Sequence, residues 1–186
     1  SGLVEITKKA VTVRYGLTGT GSVTKVYDGK PVELNLTEFQ LLNGDGLELV
    51  SIDYDKRSSY GTHTLGNFRN AVIRNGRGEE ITANLDIAYE ASVSATVESR
   101  TVTFSLRDYW YEGSDYPETI SSAELKACAT VGQLAEGDWA EFSVRYDAAT
   151  HTIRITGVIF YNANNEELNY EYDYGTLPTA KVILVN

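Results

Sequence analysis

Two histidines and several carboxylate pairs are the side chains whose types and spacing invite chemistry. His63 stands in Thr62-His63-Thr64 and His151 in Thr150-His151-Thr152. A zinc site gathers four Cys, His or carboxylate ligands, and neither histidine has a Cys or a second His nearby in sequence. A Ser-His-Asp triad lacks its local frame, because no Gly-x-Ser-x-Gly elbow occurs. Asp53 and Asp55 fall on one face of a strand and offer oxygens to Ca²⁺, which takes six to eight of them. No Asp-rich loop with calcium-site spacing accompanies them. Glu79-Glu80 and Glu166-Glu167 add carboxylates, yet nothing singles out the two that glycoside hydrolysis needs. The expectation is therefore a chain with no catalytic residue, no metal and no cofactor, and not an enzyme.

Aromatic side chains are the stronger functional signal. Tyr109-Trp110-Tyr111 with Tyr116 forms one cluster, and Tyr170, Tyr172 and Tyr174 alternate in another. Exposed rings stack on sugars and anchor protein partners. The first cluster is the candidate ligand-binding set. The second is expected to lie on one strand face and cover a core, leaving Glu171 and Asp173 in water.

The elements that must position these residues are strands. Val4–Thr7, Val11–Arg14, Arg100–Leu106, Phe142–Arg145 and Ile153–Thr156 alternate apolar with polar residues, the period of a half-buried strand. Gly, Asn and Asp punctuate them at short intervals, as in an antiparallel sandwich. Ser121 to Leu134 has a capping-box start in Ser121 and Glu124, but its apolar residues also alternate. It is read as strand, like Leu34 to Leu42.

Landmarks recur in order. Tyr27-Asp28-Gly29 returns as Tyr111-Glu112-Gly113, Gly44-Asp45 as Gly137-Asp138, and Tyr54-Asp55 as Tyr146-Asp147. Thr-His-Thr and Glu-Glu follow in both halves. Self-similarity in fixed order is the mark of a repeat. The expected fold is all-β, two tandem Ig-like antiparallel β-sandwich modules. The first spans 9–98 and the second 99–186. Residues 1–8 read as the end of a preceding repeat or a lead-in. Glu98-Ser99-Arg100 is a junction short enough to favour a semi-rigid rod. Tyr-Asp-Gly itself is turn chemistry, with Asp accepting backbone N–H groups and Gly supplying positive φ.

Lys25-Val26-Tyr27-Asp28-Gly29-Lys30-Pro31, then Leu41–Asp45, Gly61-Thr62, Asn67 and Ile81–Tyr89, resemble the YDG and MBG type Ig-like repeats of large bacterial cell-surface proteins. In that family Lys-x-Tyr-Asp-Gly opens the repeat. The likeness covers nearly all of the first copy and most of the second, where Glu112 replaces Asp28. Leu85 stands where the family prefers Tyr. The resemblance implies a structural spacer in an extracellular stalk or adhesin, held to the cell surface or wall through segments outside this chain. Its partners would be neighbouring repeats, with a host protein or a glycan as the alternative role. Lys–Asn isopeptide crosslinks occur in some Gram-positive surface domains, and Lys8, Lys9 and Lys181 stand on terminal strands where such lysines sit.

Composition narrows the partners. The formal net charge of −10 over 186 residues opposes binding to nucleic acid, which needs clustered Lys and Arg, and adhesion to anionic lipid. The single cysteine, Cys128, precludes an internal disulfide. No apolar run approaches the ~20 residues that span a bilayer. A start at Ser1-Gly2 and the lack of Met read as a processed or excised chain.

Overall fold

Alternating burial along short strands builds this chain, seen in a computed structural model that describes residues 2–3, 6–172 and 177–186. The fold is all-β and sandwich-type, and the chain divides into two compact units, Ser1–Glu98 and Ser99–Asn186. Val4 and Glu5, half of the first expected strand, lie outside the described residues; Ile6 and Thr7 are not in a strand.

In the first unit, β1 (Lys9–Tyr15) pairs antiparallel with β3 (Phe39–Leu42) and parallel with β7 (Leu85–Glu90). A second sheet places β8 (Ser92–Glu98) between β2 (Thr20–Val26), to which it is parallel, and β5 (Gly61–Leu65), to which it is antiparallel. β4 (Glu48–Asp53) pairs with β6 (Arg69–Arg74). The period of two sends Val11, Val13 and Tyr15 inward, together with Leu65, Ala71, Ile73, Val93, Ala95 and Val97. Tyr15 meets Phe39 edge-on at 5.1 Å, and Phe39 meets Phe68 at 5.9 Å, geometries the ring quadrupoles favour.

In the second unit, β9 (Thr103–Leu106) pairs with β11 (Ala129–Gly132). The main sheet has the order β10 (Tyr109–Glu112), β15 (Thr179–Val185), β13 (Thr152–Tyr161), β12 (Trp139–Asp147). A short β14 (Glu167–Leu168) adds to β13. β10 and β15 run parallel. Leu125, Val144, Ile153, Ile155, Phe160 and Val182 form the core, and Phe104 packs against Phe142, Phe160 and Tyr172. Parallel pairs in both units supplement the antiparallel ladders and need long crossovers, which a strand pattern read locally does not reveal.

The Ser121–Leu134 segment is corrected. Its first half is helical: α1 (Ser122–Leu125) runs into a 3-10 turn at Lys126–Cys128, and only then does β11 begin. Ser121 accepts the Glu124 N–H at 3.3 Å, so its capping outweighs the alternation, which only the later residues use. The first unit repeats the device in shorter form. Asn35 accepts the Thr37 N–H at 3.0 Å and caps a 3-10 turn at Leu36–Glu38 before β3, so Leu34 to Leu42 is not wholly extended either.

Two further turns recur. Asn75 Oδ1 accepts the N–H groups of Arg77 and Glu79, and Asn162 Oδ1 those of Asn164 and Glu166. The Glu-Glu landmarks thus follow the same Asx turn. The Gly-Asp landmark is misaligned. Leu47 N–H bonds to Gly44 O and Asp138 N–H to Ala135 O, so the left-handed turn glycines that correspond are Gly46 (φ 75°) and Gly137 (φ 85°).

Ile153→Ala is expected to destabilise the protein by about 2–5 kcal/mol, the range for emptying a fully buried aliphatic site. Ser121→Ala should cost about 0.5–2 kcal/mol through the lost cap. Urea unfolding of each variant checks both.

Candidate functional site

The Tyr27-Asp28-Gly29 turn continues the β2–β8 ladder by one bond, Tyr27 N–H to Glu98 O at 2.9 Å. Tyr27 is only 4% exposed and stacks on Tyr60 at 4.6 Å. Asp28 Oδ1 accepts the Lys30 N–H at 2.9 Å and lies 2.8 Å from Lys25 Nζ. Gly29 takes φ 77°, which closes the turn. Tyr27 thus serves the ladder and a buried ring stack, and Asp28 and Gly29 serve the turn. Lys25 beside Asp28 holds its carboxyl below the usual range, helped by the Lys30 N–H and Lys30 charge and opposed by desolvation.

In the second unit the same spacing works differently. Tyr111 lies within β10, opposite Leu184, and Gly113 N–H bonds to Val185 O at 3.1 Å. Gly113 does not have positive φ; a Cβ there would sit 3.0 Å from the Tyr111 ring. The expected turn role of this glycine is therefore replaced by close approach to an aromatic face.

The expected platform of Tyr109, Trp110, Tyr111 and Tyr116 is split. Alternation along β10 turns Tyr109 and Tyr111 to the half-buried side and Trp110 and Glu112 outward. Tyr109 OH donates to Glu124 Oε2 at 3.3 Å; desolvation, then the Glu124 charge, pushes its pKa up. Tyr116, 42% exposed, lies flat on the His151 ring at 3.7 Å with 7° between planes. Trp110 alone of the four is strongly exposed, at 68%, and its register partner is the outward Ile183. The ligand candidate thus reduces to a Trp110–Ile183 apolar patch on an outward sheet face.

Tyr170 and Tyr172 are not on a strand. Tyr170 is buried, donates to Asp138 Oδ2 at 2.9 Å and accepts the Ala135 N–H at 3.0 Å. Tyr172 packs on Phe104 and Phe160. Both rings cover the core. Tyr174 and Asp173 lie outside the described residues.

The histidines are not equivalent. His63 is on β5 and pairs with Ala95, whereas His151 is in the β12–β13 turn at φ 55°. His63 Nε2 lies 2.8 Å from Ser59 O, so it carries the proton and Nδ1 accepts from Arg57 at 3.3 Å. Tyr146 OH donates to Pro117 O at 2.9 Å, so its oxygen can only accept from His151 Nδ1, 3.4 Å away. Asp53 accepts from Asn70, and Asp55 is bound by Asn67 and Arg69. Among the described residues no three His, Cys, Asp or Glu side chains converge as a metal-binding group. Lys8, Lys9 and Lys181 are all exposed.

One exposed aromatic pair escaped the sequence reading. Trp139 stacks on Tyr161 at 4.5 Å, with Nε1 donating to Asn162 O at 3.2 Å, and Ile159 lies outward on the same strand. No local signal marked it: Val158 to Tyr161 are all apolar, and a bulge in the β12–β13 pairing shifts the phase that Ile153 and Ile155 set.

Comparison with protein-family models gives no match, and comparison with curated proteins gives none.

A depressed folded-state pKa contributes stability above the unfolded value near 3.8, and that stability is lost as pH falls through the lower folded value. Asp28→Asn is expected to remove this acid-linked loss and to lower stability at neutral pH by under about 1 kcal/mol, the ceiling for a solvent-screened pair. Thermal melts of both proteins from neutral pH to below the carboxylate range test the sign.

Proposed function

We propose that this chain is a non-enzymatic spacer, two repeated units of an extracellular bacterial surface protein, held at the cell surface through other segments. One observation carries the reading: the residues repeated between the units serve folding. Tyr27 extends a ladder, Asp28 closes a turn, Asn35 and Ser121 cap helical turns, and Asn75 and Asn162 nucleate Asx turns. A repeated catalytic or ligand site would instead preserve groups that point into solvent or a cleft. The neighbouring repeats of the same chain are its principal partners in this reading. An antibody raised against this chain is expected to label intact cells of its source. Labelling that appears only after lysis would sink the proposal.

A second reading, recognition of a glycan or a protein, is favoured by Trp110. A ring 68% exposed beside an outward Ile183 contributes little to folding and leaves its face free for stacking. Trp110→Ala is expected to abolish any glycan-array signal of the wild-type chain while leaving the melting temperature within a few degrees. A retained signal counts against this site.

A further inference from the structure

Two arginines face each other across the strands that continue the Trp110 sheet. Arg145 on β12 is the direct register partner of Arg154 on β13, and both are exposed. Arg154 is in turn opposite Thr179 on β15, while Thr152 is opposite Lys181. Val144, Ile153, Ala180 and Val182 point into the core, so Arg145, Arg154, Thr179 and Lys181 share the outward face. Trp110 and Ile183 continue that face on β10 and β15.

Like charges directly opposed on a sheet destabilise it, and in a chain of net charge −10 acidic partners are abundant. Yet among the described residues none of these three cations forms an ion pair within 4.0 Å. The acids of the same face hydrogen-bond to backbone N–H groups or are remote; at Asp147 the Ala149 N–H and, more weakly, the Arg154 charge hold the carboxyl below its usual range. Asp147 accepts the Ala149 N–H at 2.9 Å, and Asp108 the Lys181 N–H at 2.9 Å. Glu112 sits at the far end, opposite Val185. Arg145, Asp147, Thr152, Arg154 and Thr179 line a shallow groove of about 610 Å³, in which the two arginines outnumber the one acid.

The first unit supplies an internal control. Taking Tyr27 with Tyr111 carries Val97 onto Val182 and Ala95 onto Ala180, all four buried. In that frame Thr62 and Thr96 stand where the second unit has Thr152 and Lys181. Thr64 and Ser94 stand where it has Arg154 and Thr179. Neutral hydroxyls therefore satisfy the same sheet positions, with Thr62 Oγ1 and Thr96 Oγ1 3.1 Å apart. The fold does not require the cations.

We propose that this outward face of the second unit binds an acidic saccharide, its carboxylate or sulfate groups held by Arg145, Arg154 and Lys181 and a sugar ring stacked on Trp110. The inference rests on the recognition reading above and names its ligand class. Guanidinium forks match planar or tetrahedral oxyanions, and threonine hydroxyls complement sugar hydroxyls. The cations and the ring are spread over about 14 Å across strands and about 13 Å along them. That spread suits an extended chain of sugars with repeated charge better than a single small anion.

Calorimetric titration of the full chain with a heparin-derived tetrasaccharide, a hyaluronan tetrasaccharide and neutral chitotetraose tests it, with poly-glutamate as the acidic peptide. One or both acidic saccharides are expected to bind and the neutral one not, the two arms separating sulfate from carboxylate. Arg154→Thr/Lys181→Thr, which installs the first unit's residues, should weaken binding about tenfold or more with no fall in melting temperature. Trp110→Ala should weaken it separately. A lower melting temperature in the double variant would mark the cations as structural and overturn the proposal. Neutral chitotetraose binding equally, unchanged by the double variant but lost in Trp110→Ala, overturns the charge assignment alone and leaves the recognition reading standing. Tighter binding of poly-glutamate overturns the saccharide, and no binding by any probe overturns the acidic-saccharide proposal while the recognition reading is judged separately by its Trp110→Ala test.

Discussion

In each unit the last strand lies parallel to an early one, β8 on β2 and β15 on β10, and the rest of the architecture depends on that pairing. β8 is hydrogen-bonded on both sides, and its inward residues Val93, Ala95 and Val97 are all buried. β15 does the same with Ala180 and Val182 between β10 and β13. Such closure brings together segments far apart in sequence, so it must be balanced by the apolar area buried when the strand docks. It also sets the phase of every neighbour. Once Val182 faces inward opposite Tyr109, Trp110 has to face out.

Around these closures the chain satisfies its backbone with side chains wherever the ladders stop. Tyrosine hydroxyls do much of this: Tyr54 accepts the Leu34 N–H, Tyr89 the Ala71 N–H and Tyr170 the Ala135 N–H. Each ring lies against the sandwich while its oxygen takes up a donor that no strand reaches, the two-sided character that suits Tyr to a core edge. The abundance of Tyr is thus largely architectural. Asx turns at Asn75 and Asn162 and caps at Asn35 and Ser121 take up further N–H groups.

Against that background the outward face of the second unit is the departure. Where the first unit presents threonine and serine at matching register positions, the second presents Arg154, Thr179 and Lys181, with Arg145 opposite Arg154 and Trp110 at the far end. Divergence at positions that the sheet leaves free is where a repeat can acquire a ligand without disturbing its core.

The amino-acid sequence by itself determined the all-β class, most strand phases and the order of the landmarks, because a period of two and turn residues are local properties. Outward phases for Arg145 and Arg154 were legible in the same way, whereas that of Ile159 was not, because a bulge in the β12–β13 pairing shifts the phase that Ile153 and Ile155 set. The helical start after Ser121 was legible only as a competing signal, since four capped residues and an alternating run occupy one segment. Tertiary structure alone decided the parallel closures, the different work of Gly29 and Gly113, the separation of His63 from His151, and the splitting of the aromatic cluster. Each of those depends on which strand lies beside which and in what register, and register is a long-range property no local pattern carries.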